Sequence, residues 1–319
     1  MIAGERGASP AVRRAAGFMA TAALAATSVL AMPASSASQA VLASRYTIPA
    51  VAVNGIVVSE LSGMAWDDDE QRLYAVSDQG YVFHFRLTLD GDAIVACDPV
   101  YAAALTNPQR KGAPRAHFNA EGLALRNAAN GNAGDTVLIV SLEGEPPGIM
   151  RFDPAGAALG ELAVPSPAND AARFRKKGQG LEAVAFDPAH GVITAPESPL
   201  RAQPDGLHTL YAQGRQWSFE RHSPDSRLKG IEWLPGGQLL ALERSPTQTK
   251  KVLIASVRRV DLAACPTNGI CPADTLAVLP PGPDNFEGMT EIGPGRLLLV
   301  SDDGGKGSQQ TTLVLLVLR

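Results

Sequence analysis

Short apolar runs, many of them alternating with polar positions, recur along the chain and are separated by turn-forming residues. Runs at 72–76, 81–89, 136–141, 149–152, 238–243, 252–260, 297–301 and 311–318 have the length and the aliphatic and aromatic content of β-strands. Between them, Asp90-Gly91, Asp153-Pro154-Ala155-Gly156, Pro235-Gly236-Gly237 and Pro294-Gly295 supply a positive φ or a preset corner. No helical period is sustained beyond residue 40, so an all-β fold is predicted. Aromatic residues make up only 5% of the chain, which leaves the core to Leu, Val and Ala. The polar, Pro-rich stretches 106–118, 166–179 and 198–206 read as surface excursions.

Five segments repeat one pattern, an apolar residue, a small or acidic-plus-glycine step, and then an apolar run ending on an acid. They are Leu61-Ser62-Gly63-Met64 leading to Asp78, Ala120-Glu121-Gly122-Leu123 to Glu143, Leu181-Glu182-Ala183-Val184 to Glu197, Leu228-Lys229-Gly230-Ile231 to Glu243, and Phe286-Glu287-Gly288-Met289 to Asp302. Their starts lie about 50 to 60 residues apart, the length of one four-stranded sheet with its turns, and a unit repeated at that period indicates a propeller. Five blades are predicted, or six if 97–118 conceals a degenerate one. The last unit has only three strands before the chain stops at Arg319, so the strand-like segment 46–53 is expected to complete it and close the ring, leaving no sheet edge exposed.

The N-terminus changes this picture only by addition. Arg6, Arg13 and Arg14 precede an apolar stretch from Ala15 to about Met32, followed by the small-residue run 34–40, the layout of a secretory signal. Residues 1–40 are therefore read as a signal peptide and 41–319 as a single domain. A periplasmic or secreted location is expected, by the general or the twin-arginine route, with no stable membrane span. Loss of Arg6, Arg13, Arg14 and Glu5 moves the formal charge from −4 to −6, which argues against nucleic acid as a partner; a monomer is expected. Cys265 and Cys271 bracket a turn and should pair in an oxidising compartment, leaving Cys97 as a buried free thiol.

In a propeller the innermost strands line a central channel, so equivalent repeat positions form a ring. Here the ring reads Ser62, Glu121, Glu182, Lys229, Glu287. Three glutamates against one lysine leave a negative cup suited to a hard divalent cation, with Glu121, Glu182 and Glu287 as its ligands. The competing reading is that these glutamates pair with Lys229 and nearby arginines and only fix the ring's register. Asp78, Glu143, Glu197, Glu243 and Asp302 would form a further layer, more often structural than ligating. Lys229, Arg201, Arg244 and Lys306 are candidates for holding an anionic substrate. Glu182 and Glu287 are catalytic candidates, and His117, four residues before Glu121, is the histidine placed to act as acid or base. His84 reads as a packed strand residue, and Asp67-Asp68-Asp69 as a solvent turn. A Gly-x-Ser-x-Gly elbow and paired metal-ligand histidines are absent from the sequence.

The segments 178–186 through Pro196-Glu197-Ser198-Pro199-Leu200, then 239–244, then Asp284-Asn285-Phe286-Glu287-Gly288-Met289-Thr290 through 298–303, resemble the phytase-like family, whose activity is described as esterase-like. The resemblance spans roughly residues 45–319. It implies a secreted or periplasmic β-propeller that hydrolyses phosphate or other esters of a small molecule and uses calcium. A calcium-dependent lactonase and a non-catalytic binding or scaffold propeller are the alternatives.

Overall fold

The apolar runs of each repeat bury the inner strands between stacked blades and leave the outermost strands partly exposed, and the repeats fold accordingly into four-stranded antiparallel sheets. The computed structural model describes residues 39–107, 118–234, 236–249, 252–267, 269–305 and 309–319; Ala37–Arg319 is one compact unit. Almost all of the signal segment expected at 1–40 lies outside the described residues. The chain opens with β1 (Ala40–Thr47) and a small hairpin, β2 (Ala52–Val53) and β3 (Ile56–Val57). The first blade is β4 (Leu61–Asp67), β5 (Arg72–Ser77), β6 (Tyr81–Asp90) and β7 (Ala93–Ala104). The second is β8 (Asn119–Arg126), β9 (Val137–Glu143), β10 (Gly148–Phe152) and β11 (Ala158–Leu162). The third is β12 (Ala183–Asp187), β13 (Gly191–Ala195), β14 (Leu207–Ala212) and β15 (Arg215–Glu220). The fourth is β16 (Arg227–Leu234), β17 (Gln238–Pro246), β18 (Leu253–Asp261) and β19 (Ala273–Val278). The fifth combines β20 (Asn285–Glu291), β21 (Arg296–Asp302) and β22 (Thr312–Leu318) with β1.

These sheets are five blades of a propeller, and their first strands touch in ring order, β4 to β8 to β12 to β16 to β20 and back to β4. Residues 97–104 belong to the outer strand of the first blade, so no sixth blade forms among the described residues. Closure runs through β1, which pairs antiparallel with β22 from Ala40 opposite Leu318 to Thr47 opposite Thr312. The closing strand thus lies several residues earlier than the expected 46–53. Pro49, which has no N–H to donate, follows directly after the last ladder bond from Ile48 N to Thr311 O (2.9 Å), and residues 52–53 turn instead into the β2–β3 hairpin.

The core is divided into five clusters, one at each junction between blades. Phe83 and Phe85 meet Leu298 and Leu313 between the first and fifth blades, and Tyr74 and Val76 meet Leu138 and Phe152 between the first and second. Ile139 packs with Val184 and Tyr211, Leu210 and Phe219 with Leu239 and Val260, and Leu240 and Val257 with Leu297 and Leu299. Each fully buried large side chain contributes about 1.5–3 kcal/mol. The few aromatics are concentrated here; Tyr74, Tyr211, Phe83, Phe85, Phe152 and Phe219 are the largest fully buried side chains. His84 is packed as expected, between Tyr74 and Tyr101, with Nε2 2.7 Å from the Pro154 carbonyl. Cys265 and Cys271 form a disulfide, and Cys97 is a buried free thiol whose pKa burial pushes up to about 12.

Two expected surface features, largely exposed as read, are also anchored by buried residues. Asp67 is fully buried and accepts from Thr136 Oγ1 and from the backbone N–H of Asp69 (3.0 Å) and Glu70 (2.9 Å), while Asp69 accepts from Asn130 N (2.8 Å) and Gly131 N (3.0 Å). The acidic turn therefore clasps a loop of the next blade. Within 166–179, Ala168 and Phe174 enter the core around Val184, and a short 3-10 turn (Ala171–Arg173) is capped by Asp170.

The axis itself constrains the sequence most. A Cβ on Gly63 would lie 2.5 Å from Glu121 O, and one on Gly122 would lie 2.7 Å from Val184 N and 2.8 Å from Ser141 Oγ. Backbone cannot yield as a flexible side chain can, so only the smallest residues fit where first strands converge. Gly122→Ala is therefore expected to cost about 1–3 kcal/mol, a fall of roughly 2–10 °C in melting temperature. Gly206→Ala, which meets nothing within 4 Å, should leave it within about 1 °C. Thermal denaturation of both variants beside the parent checks this.

Candidate functional site

The first strands are not regular where the ring residues sit. The ladder register shifts between Leu61 and Gly63, Ala120 and Leu123, Leu228 and Gly230, and Phe286 and Gly288. Ser62, Glu121, Lys229 and Glu287 are thus the residues of β-bulges, which free a side chain from the sheet's alternation and re-aim it. In the third blade Glu182 immediately precedes β12, its N–H bonded to Ala195 O at 3.0 Å. Beneath this layer the axial cavity is only about 10 Å³, bounded by Gly63, Gly122, Gly230 and Gly288, room for a single water at most. This cavity is therefore too small to admit a ligand.

Most of the expected ring residues meet above that cavity, at the channel mouth. Lys229 Nζ donates to Glu182 Oε1 and to Glu197 Oε1 (3.2 Å) and lies 3.1 Å from Glu287 Oε1, with the lysine side chain only 6% exposed. Arg244 donates to Glu287 Oε1 (2.8 Å), to Asn285 Oδ1 and to Glu197 Oε1 (3.4 Å). Arg227 donates to Glu197 Oε2 at 2.9 Å. Asn285 completes the mesh through its Nδ2, donating to Glu287 Oε1 (2.9 Å) and Asp302 Oδ2 (3.0 Å).

The electrostatics divide the ring into two sides. Burial alone would discharge Lys229, but Glu182, Glu287 and Glu197 outweigh it and hold the ammonium well above its ordinary pKa. Burial likewise works to raise Glu197, yet Lys229, Arg227 and Arg244 keep that carboxyl below its usual range. Among the described residues Glu121 forms no ion pair of this kind. Burial, then the charge of Glu182, pushes it up to about 9 against the pull of Lys229, and burial brings Glu182 to about 7. Asp78 is pushed up to about 6 by burial and by Glu60 and Asp302; Glu143 and Asp302 are also raised, chiefly by burial.

Other expected residues are placed elsewhere. Arg201 is exposed, and its guanidinium donates to the carbonyls of Phe174 (2.9 Å) and Arg175 (3.0 Å), tying down a loop. Glu243 is fully buried away from the mouth, accepting from Ser226 Oγ, His222 N (2.8 Å) and His208 Nε2 (3.2 Å). His117 and Lys306 lie outside the described residues. Residues missed in the sequence include Arg227 and Asn285, each two positions before a ring residue. Glu60, Asn119, Gly180, Arg227 and Asn285 occupy that same position in successive repeats, a regularity that could have shown them.

Arg227, Arg244 and Asn285 also face a cleft of about 1040 Å³ beside the mouth, shared with Arg175, Arg221 and Asp205. Arg221 is held by donating to the carbonyls of Asp205 (2.8 Å) and Ser226, and Arg175 by Pro199 O (2.8 Å) and Asp205. Four guanidiniums thus line one cleft together with Asp205 and Asp225, each of the four already engaged by a carboxylate or a carbonyl.

The profile of the phytase-like family, described as esterase-like activity of phytase, matches residues 56–305. The chain belongs to the phytase-like family. No curated protein matches it. Among solved structures, this phytase-like propeller is similar to the Dos1 propeller, at 10% identity over 81% of this chain and 68% of that one, with a TM-score of 0.37. A gluconolactonase from Xanthomonas campestris shares 15% identity over 82% and 86% of the two chains with a TM-score of 0.38. The WD40 repeats of RRP9 share 9% over 88% and 100% with a TM-score of 0.45.

Calcium takes 6–8 oxygen ligands at 2.3–2.6 Å, and the expected ligands fit this poorly. Glu182 and Glu287 are turned onto the Lys229 ammonium, and among the described residues no group of three or more His, Cys, Asp or Glu side chains is arranged to hold a metal.

Glu121 gives a direct test of this environment. The folded protein keeps a proton on it up to about pH 9 that the unfolded chain releases near 4.5, so its contribution to stability falls as pH rises between those values. Glu121→Gln should leave the melting temperature unchanged near pH 4.5 and raise it increasingly toward pH 9, by several degrees, flattening the profile. Melting curves across that range measure it.

Proposed function

We propose that this phytase-like propeller is a hydrolase of anionic esters, with the arginine cleft as its substrate dock and the channel mouth as its reacting centre. The observation that carries the reading is that Arg244 and Arg227 belong to both, lining the cleft while paired to Glu287 and Glu197 in the ring. An anionic group bound by the guanidiniums would bring a neighbouring ester bond to carboxyls with two different proton affinities. Glu121, held protonated at neutral pH, can give its proton to the leaving oxygen, and Asp78, ionised above about 6, can take one from the attacking water. Glu182 and Glu287, engaged by Lys229, would hold the geometry and the field rather than transfer protons. An exported location, periplasmic or secreted, is part of the proposal, supported by the Cys265–Cys271 disulfide. No helix among the described residues is long and apolar enough to cross a membrane.

A binding propeller without catalysis is the second reading, favoured by the internal pairing of so many of the ring's charges. A substrate panel separates the two. With phosphate monoesters, carboxylic esters and lactones presented to the purified protein, turnover is expected for an anionic ester, and Glu121→Gln should lower kcat about 10²–10⁴-fold. Replacing Arg175 and Arg227 together by Gln should raise KM about tenfold or more with little change in kcat. Anion binding without turnover of any ester would establish the binding propeller instead.

A further inference from the structure

At the centre of the mouth a cation is already in place, and it belongs to the chain. The Lys229 ammonium has three N–H donors and faces three carboxylate oxygens, from Glu182, Glu197 and Glu287, contributed by the third and fifth blades while the lysine comes from the fourth. Its side chain is 6% exposed, and Glu182, Glu197 and Glu287 are 6%, 15% and 12% exposed, so solvent contributes little to balancing these charges. Arg227 and Arg244 supply the remaining positive charge, so three carboxylates face three fixed cations. A divalent ion entering this arrangement would meet a site already neutralised and three cations repelling it.

We infer that Lys229 is the propeller's resident cation, gathering three carboxylates that are not themselves arranged to hold a metal, and that its removal frees them to close on a divalent cation instead. The repeat itself suggests how to remove it, since the first blade carries Ser62 at the equivalent bulge. With a serine there, three convergent carboxylates would retain only two arginines, at the edge of the site, and would regain the negative charge and oxygen-only character that hard cations need.

Melting temperature, measured in chelator and in calcium raised to about 10 mM, well above the range of weak extracellular sites, tests this without reference to turnover, so it is decided separately from the hydrolase reading. The parent protein should shift by no more than about 1 °C between the two conditions. Lys229→Ser should be destabilised in chelator and regain about 5 °C or more when calcium is in large excess over its dissociation constant. If Lys229→Ser does not fold without metal, refolding in calcium against chelator reads the same property, and calcium-dependent recovery supports the inference. A calcium-induced rise of several degrees in the parent protein would overturn it. So would a Lys229→Ser protein indifferent to calcium, whether folded or unfolded.

Discussion

Five first strands meet at one axis so closely that a Cβ on Gly63 or Gly122 would lie within 2.5–2.7 Å of the next blade's backbone, and the rest of the molecule is arranged around that crowding. The small residue after each ring position, Gly63, Gly122, Ala183, Gly230 or Gly288, lets one blade's backbone lie against the next. In four blades the preceding residue is carried in a bulge, which turns Ser62, Glu121, Lys229 and Glu287 out of the sheet's alternation. Packing and chemistry are therefore one feature. The glycine that permits close approach follows directly on the side chain that the bulge presents, and the same constraint narrows the axis to a cavity too small to admit a ligand.

Bringing carboxylates together in this way has an electrostatic cost that the fold meets unequally. On the side of the third and fourth blades, Lys229, Arg227 and Arg244 answer Glu182, Glu197 and Glu287 with direct ion pairs. On the side of the first and second blades, Glu121 and Asp78 make no direct ion pair among the described residues and answer by holding protons more tightly. Two solutions to one problem thus stand side by side at a single opening, a fixed cationic network and a set of carboxyls titrating between about 6 and 9. The proposed acid–base chemistry rests on that adjacency.

Much of the fold was legible in the sequence because a repeat is a direct physical signal. The five Leu/Ala/Phe-x-Gly/Ala-apolar steps correctly marked five first strands, and Glu121, Glu182, Lys229 and Glu287 followed from them as neighbours. The closing strand was displaced because residues 46–53 look extended, and the decisive fact, that Pro49 ends the ladder with β22, emerges only once the partner strand is known. Asp67-Asp68-Asp69 read as a solvent turn because its partners, Thr136, Asn130 and Gly131, are more than sixty residues away in the chain. Arg175 and Arg221 were hidden for a related reason, since loop arginines carry no period and only the folded loops bring them into one cleft.

The ring also shows why composition along a repeat is an incomplete guide to what a site holds. Three glutamates and one lysine, counted as charges, leave a surplus of negative charge. Counted as contacts, the lysine lies among three carboxylates at once, and Arg227, two residues earlier on the same strand, and Arg244, on the next, pair with Glu197 and Glu287. Position relative to the bulge decides the difference, because it places one ammonium among acidic groups contributed by two other blades.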